Sequence, residues 1–387
     1  LPFTELCLQS LLWQSDSRME IIVVDNNSSD GSANFIKKNY PSVTIIDNQK
    51  NLGFGSACNQ GISIAKGRYL LMLNPDTLVP ENLTQQILDF MHSHPNCGAM
   101  GVKMLDGMGT FLPESKRGIP TLFRSFCRFA GLSRLFPRSA FFSGYYLGHL
   151  PCDKPNEVEI LSGAFMVLDS EVIKQTGIFN ESFFMYGEDV DLSYRILLAG
   201  YKIMYNPAII ILHFKGESTI KNNQYAKSFF GSMNIFYNLH FRKNKNRFCS
   251  LLVKASTNML ATLSIIKNKS QFLFKKLLKP SKLKGDWVWI SNNLENKELY
   301  VTQNNLSYYF SGKDMGHITT EGVLTRLNKS VYCILSLSYL SPMEALTNLQ
   351  ILSKKGNKCI WIDNRNRWIF MGWSASEQTS VKPLKTN

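Results

Sequence analysis

Short apolar runs that break into polar clusters constrain this chain more than any other feature. Glu20-Ile21-Ile22-Val23-Val24-Asp25 runs into Asn26-Asn27-Ser28-Ser29-Asp30-Gly31-Ser32, and Tyr69-Leu70-Leu71-Met72-Leu73 runs into Asn74-Pro75-Asp76. Each reads as a buried strand with a loop at its C-terminal end. Between them lie a helix pattern to about Tyr40, a strand over Val43 to Asp47, a loop over Asn51 to Gly55, and a small-residue helix over Ser56 to Ala65. A helix over Glu81 to His92 and a strand over Ala99 to Met104 continue the alternation, and a helix pattern over Glu5 to Leu12 precedes it. Strand and helix alternating with short loops predict an α/β fold with a mostly parallel sheet. In such sheets ligands bind beyond the C-terminal strand ends, where Asp25 and Asp76 fall.

Further on, residues 116–155 are aromatic, basic and weakly periodic, and read as a loop-rich insertion. Order resumes over Val158 to Asp169. The loop Phe183 to Gly187 leads into a helix over Glu188 to Ala199, and strands follow near Tyr201 to Tyr205 and Ile209 to His213. From Gly285 the composition changes: five of the six tryptophans lie beyond it. Strands near 287–291, 299–302, 332–337 and 359–362 and a helix over Pro342 to Lys354 predict a small C-terminal α/β domain, with Tyr332 to Ile362 one strand-helix-strand unit. The expected organisation is 1–220, 221–284, 285–376 and a disordered tail over 377–387.

The net charge of +14 is local. Residues 221–284 hold 14 Lys plus Arg and no acid, and without them 29 basic residues face 29 acidic ones. A basic helical segment of this kind suits an anionic membrane surface. Its most apolar stretch, Leu251 to Ile266, is too short and polar to span a bilayer. The alternative is helices packed on the neighbouring domain. No nucleic-acid-binding module is recognisable, so nucleic acid is not the expected partner. The eight cysteines form no CxxC pair, which argues against a zinc or disulfide framework and fits a reducing compartment.

Three clusters carry candidate chemistry. Asp25 and Asp30 suit hydrogen bonds from a base imide or ribose hydroxyl, or else cap a turn. Asn74-Pro75-Asp76 offers a carboxylate to a hard cation that neutralises departing phosphates, or else simply ends a strand. Glu188-Asp189-Val190-Asp191 opens a helix. There a carboxylate serves either as a base toward an acceptor hydroxyl or as a favourable charge at a helix N-terminus. His213 reads as a satisfied strand-end histidine or as a metal ligand, nitrogen favouring Mn²⁺ over Ca²⁺.

Taken in order, Val23 to Ser32, Asn51-Leu52-Gly53-Phe54-Gly55-Ser56-Ala57-Cys58-Asn59-Gln60-Gly61, Leu73 to Thr77, Ser162-Gly163-Ala164-Phe165-Met166 and Phe184 to Leu192 resemble the family 2 glycosyltransferases, closest to the rhamnosyltransferase-like branch. The resemblance covers about residues 1–220. It implies a GT-A fold and inverting transfer of a sugar, rhamnose or another hexose, from a nucleoside-diphosphate sugar to a cell-surface or lipid-linked glycan acceptor. Asp25, Asn27 and Asp30 would hold the nucleotide, with Asn51, Gly53 and Asn59 lining its pocket. Asn74 and Asp76 would face the diphosphate, and Gly163 and Ala164 the donor sugar. Asp189 matches the catalytic base, with Glu188 beside it. Asp76 and His213 would bind a divalent metal, Mn²⁺ or Mg²⁺. Asn74 stands where an acidic metal-motif position is found elsewhere in the family, so only one strong carboxylate ligand is evident. The family's opening strand, roughly ten residues, has no counterpart in this sequence, which predicts an apolar seam, half a nucleotide pocket and weak or no activity unaided. The implied location is the inner face of the plasma membrane. The alternatives are a nucleotidyltransferase, which would need a Gly-rich basic triphosphate loop that is absent from the sequence, and a decayed, non-catalytic glycan-binding protein.

Overall fold

The first apolar run becomes strand β1 (Ile22–Asp25), which pairs in parallel with β2 (Thr44–Asp47), Asp25 lying opposite Asp47. Helix α1 (Pro2–Leu12) and the connecting α2 (Ser32–Asn39) cover this pair through Leu8, Ile36, Tyr40 and Val43. The structure is a computed structural model. It describes residues 1–14, 16–214 and 223–241, and then 287–290, 299–303, 306–310, 316–317, 332–336, 341–354, 358–362, 368–371 and 380–383.

After α3 (Phe54–Ile64) come β3 (Tyr69–Leu73), β4 (Thr77–Leu78), α4 (Leu83–Ser93) and β5 (Cys97–Leu105). The insertion contributes α5 (Leu122–Phe129) and α6 (Leu132–Leu135). Then follow β6 (Asn156–Glu157), β7 (Phe165–Asp169), α7 (Ser170–Thr176), α8 (Glu188–Leu198) and β8 (Lys202–His213). The main sheet has the order β3-β7-β5-β8-β4. It is mixed, which corrects the mostly parallel sheet expected. β5 and β8 run parallel, but β7 runs antiparallel to both β3 and β5, and β4 antiparallel to β8. An antiparallel neighbour needs no crossover helix, and the insertion after β5 returns the chain to the end it left. The two strands expected near 201–205 and 209–213 are one strand. Its register slips between the Val102–Asn206 and Lys103–Ile210 pairs, around Pro207, which cannot donate to a ladder.

β7 is buried throughout, so alternate side chains enter two cores. Phe165 and Val167 pack toward Leu83, Ile87 and Met91 of α4. Met166 and Leu168 pack toward Val172, Leu192 and Ile196 of α7 and α8.

Helix α9 (Asn223–His240) lies against this half of the chain. Phe236 is buried with Ile160, Phe183 and Val190, Ser232 Oγ donates to the Met185 carbonyl at 3.0 Å, and His240 Nε2 lies 2.6 Å from Asp191. The boundary drawn at 220 therefore moves. Residues 223–241 pack on the N-terminal half, and the rest of the expected basic segment, 242–284, lies outside the described residues.

The C-terminal sheet follows the order β12-β9-β13-β14-β15-β16, with β9 (Trp287–Ile290), β12 (Gly316–His317), β13 (Tyr332–Ser336), β14 (Lys358–Ile362), β15 (Trp368–Met371) and β16 (Ser380–Pro383). β10 (Leu299–Gln303) and β11 (Leu306–Phe310) form a separate hairpin. β13, α10 (Pro342–Lys354) and the parallel β14 make the strand-helix-strand unit expected. The tail is not wholly irregular as expected. β16 pairs antiparallel with β15, because a sheet edge offers unpaired backbone groups that even a polar segment can satisfy. The Met343 amide of α10 donates to Glu81 of the N-terminal half at 2.7 Å.

Candidate active site

Strand direction brings the chemistry to one end of the main sheet. Because β7 opposes β3, its start meets β3's end: Leu73 lies opposite Phe165, and the Asn74 amide donates to the Ala164 carbonyl at 3.0 Å. Because β4 opposes β8, Thr77 lies opposite His213, and the Phe214 amide donates to the Asp76 carbonyl at 2.9 Å. Helix α1 backs this turn, with Cys7 Sγ 3.5 Å from Thr77 Oγ1 and Ser10 Oγ accepting from the Val79 amide. A cavity of about 2300 Å³ opens here and extends between β1 and β3, where Ile22, Val23, Leu71 and Leu73 give it an apolar wall.

Asp76 and His213 face this cavity. They are 3% and 7% exposed, and Asp76 Oδ1 lies 3.3 Å from His213 Nε2. Neither Asp76 Oδ1 nor His213 Nδ1 has a hydrogen-bond partner. Buried polar groups are nearly always paired, so a carboxylate oxygen and an imidazole left this way fit a cation. Among the described residues no group of three or more His, Cys, Asp or Glu could hold a metal.

Glu188 and Asp189 open α8 behind Gly187, a glycine in the left-handed region. Asp189 Oδ2 accepts from Arg117 Nη2 at 2.5 Å and from the Gly163 amide at 3.1 Å. Arg117 is half-buried and also donates to the Leu161 carbonyl. Glu188 is buried too, with Oε2 unpartnered, and burial pushes its carboxyl up to about 8, helped by the neighbouring Asp189 charge. Adjacent carboxylates thus sit in opposite environments, one ion-paired and one desolvated. Gly53, at φ +88°, lets the Phe54 amide reach the Phe184 carbonyl at 3.0 Å, and a Cβ on Gly53 would run into that same oxygen. This contact ties the Asn51–Gly55 loop to the loop ahead of Asp189.

The remaining expected residues divide in two. Asn27, Asp30, Asn51, Asn74, Gly163 and Ala164 line the cavity; Asp25, Gly53 and Asn59 sit behind its wall. Asp25 Oδ1 accepts from the Ser28 amide at 2.7 Å, a turn-forming bond. Asn59 is fully engaged: it donates to the Phe179 carbonyl and Glu181 and accepts from the Phe179 amide. Its side chain holds the loop after α7 rather than facing the cavity. Sequence reasoning missed Arg117, His240 and Asn26. Asn26 Nδ2 donates to Asn51 Oδ1 and the Gly53 carbonyl, stitching the two loops together. The repeated Asn of these loops was the available signal for Asn26; nothing local marked Arg117.

The glycosyl transferase family 2 model matches residues 2–150. Over 230 residues, 56% of this chain, the sequence is 31% identical to the N-acetylglucosaminyl-diphospho-decaprenol L-rhamnosyltransferase of Mycobacterium tuberculosis and covers 74% of that protein. The chain belongs to glycosyltransferase family 2. This family 2 enzyme is a glycosyltransferase. It is also 26% identical over 204 residues to the poly-β-1,6-N-acetyl-D-glucosamine synthase of Staphylococcus aureus, a match covering 52% of this chain and 44% of that one. Among solved structures, the mannosyltransferase PcManGT of Pyrobaculum calidifontis with GDP-Man and Mn²⁺ aligns with a TM-score of 0.43 and 15% identity, over 72% of this chain and 73% of that one.

Proposed function

We propose that this family 2 enzyme transfers a hexose, rhamnose being the first to test, from a nucleoside-diphosphate sugar to a hydroxyl of a lipid-linked or cell-surface glycan precursor, with inversion. The observation that carries the reading is the convergence of Asp76 and His213, Gly163 and Ala164, and Asp189 on one cavity. Asn27, Asp30 and Asn51 take the nucleotide, and Gly163 and Ala164 border the donor sugar. Asp25, Gly53 and Asn59 shape those loops from behind.

Asp76 and His213 would hold a divalent cation, Mn²⁺ or Mg²⁺, and their unpartnered buried atoms support this. When bound, the cation supplies charge neutralisation for the departing diphosphate. Asp189 is the base. The acceptor oxygen bonds to the anomeric carbon as the carbon–phosphate oxygen bond breaks, its electron pair leaving with the diphosphate, and the hydroxyl proton passes to Asp189. Arg117 and the Gly163 amide orient that carboxylate. Glu188, protonated below about pH 8, adds no second charge beside it.

The relatives' lipid-linked and polymeric glycans support a lipid-linked or polymeric acceptor within cell-envelope polysaccharide synthesis, and we place the enzyme at the inner face of the plasma membrane. The rest of the basic run, 242–284, which lies outside the described residues, would supply the charge toward its anionic lipids. Among the described residues no helix is long and apolar enough to cross a membrane.

Transfer and hydrolysis assays across dTDP-, UDP- and GDP-sugars with Mn²⁺ or Mg²⁺ test the reading. Asp76→Ala and Asp189→Ala should each abolish turnover, and activity retained in both would overturn the site assignment.

A further inference from the structure

The insertion after β5 carries its apolar residues on the wrong side for a water-soluble surface. On α5, Ser125 and Cys127 are buried, while Leu122, Phe123, Phe126 and Phe129 are exposed. Its arginines point inward instead. Arg124 is ion-paired with Glu159, and Arg128 lies over the Tyr146 ring at 4.2 Å. A helix packed on a domain and facing water normally shows the reverse pattern.

The exposed face continues beyond α5. Phe126 is 61% exposed, Leu135 71% and Phe141 65%. Phe123 and Phe141 rings lie 4.5 Å apart, and Phe142 touches both Phe141 and Phe136 at 5.0 Å, so the patch is contiguous. Large exposed apolar patches mark interaction sites.

Charge identifies the partner. Of the six Lys and Arg in residues 115–152, Arg117 and Arg124 are ion-paired with Asp189 and Glu159 and Lys116 is buried, which leaves the charge of this face to the arginines of α6 and the turn after it. Arg134 and Arg138, exposed beside Leu135 and Phe136, have no ion pair among the described residues. Aromatic side chains flanked by arginines match the interface of an anionic bilayer, where rings enter the headgroup region and guanidinium groups meet phosphates.

We infer that the α5–α6 face, from Leu122 to Phe142, is a membrane-docking surface that seats on anionic lipid. Leu122, Phe123, Phe126 and Phe129 also line the cavity that holds Asp76 and Asp189, so the seated face places the cavity mouth at the lipid surface. The inference rests on this face alone. It does not depend on the roles given to Asp76 and Asp189, or on the basic run over 221–284.

Hydrogen exchange of the full chain tests it, with vesicles of phosphatidylcholine alone or mixed with phosphatidylglycerol. Amides of residues 121–142 should slow only with the anionic vesicles. In flotation, the triple variant Phe126→Ser, Leu135→Ser, Phe141→Ser should partition at least about tenfold more weakly than the wild type, and Arg134→Gln with Arg138→Gln should lose much of the phosphatidylglycerol dependence. Unchanged exchange over 121–142 while the chain floats would overturn the proposal, because another segment then makes the contact. Protection that appears without vesicles and grows with protein concentration would also overturn it, since a second copy of the chain then covers the face. The wild-type exchange result stands even if the triple variant fails to fold.

Discussion

Arg117 reaches Asp189 from 72 positions away, and its guanidinium holds Oδ2 of the carboxylate while the Val190 amide donates to Oδ1. Replacing Asp189 with Asn should lower kcat at least about a hundredfold, since a neutral amide cannot take the hydroxyl proton. Arg117→Lys keeps the charge but loses the planar fork. It should lower kcat by a smaller factor and shift the pH–rate profile while leaving donor KM nearly unchanged, as steady-state kinetics across pH would record. Glu188 predicts the opposite kind of dependence. Its native carboxyl holds a proton to about pH 8, whereas the unfolded chain releases it near pH 4 to 5. The native state therefore binds more protons between these values, and stability falls as pH rises through the window. Glu188→Gln should raise Tm by at least about 3 °C at pH 9 and change it little at pH 4; scanning calorimetry at both pH values measures the difference.

At the scale of elements, the site depends on how α8 is held. Asp191, one turn into the helix, is buried between Arg195 Nε at 2.8 Å and His240 Nε2 at 2.6 Å, so α9 latches onto α8 through an acid that faces away from the cavity. His240→Ala removes one of those partners and should cost about 1–3 kcal/mol by chemical denaturation. Gly53→Ala tests the loop junction. A side chain there meets the Phe184 carbonyl at a φ few residues adopt, and a loss of about 1–3 kcal/mol together with a raised donor KM is expected. The elements themselves were legible early. The apolar run over Tyr69 to Leu73 matches β3 residue for residue, because a short unbroken apolar run bounded by polar turn residues carries no competing helical period. Sheet direction was not legible, because a strand's own side chains do not record which way its neighbour runs. The insertion was opaque for a related reason: α5 turns its apolar face outward, which defeats any reading that assumes apolar means core.

For the whole molecule, ligand binding should register as stability. A nucleoside diphosphate with Mn²⁺ at a hundredfold its dissociation constant should add about 2.7 kcal/mol to unfolding. Asp76→Asn should abolish the metal-dependent part of the thermal shift and leave some nucleotide-dependent part. The sequence by itself determined the alternation of strands and helices, the order of the five motifs and the placing of Asp76 and Asp189 at element ends. These follow from local periodicity and turn chemistry, which act over a few residues. Only the tertiary structure decided that the sheet is mixed, that α9 belongs with the N-terminal half, that Asn59 holds a loop and that Arg117 meets Asp189. Each of these depends on a contact between distant segments, and a contact of that kind leaves no mark on the spacing of residues along either one.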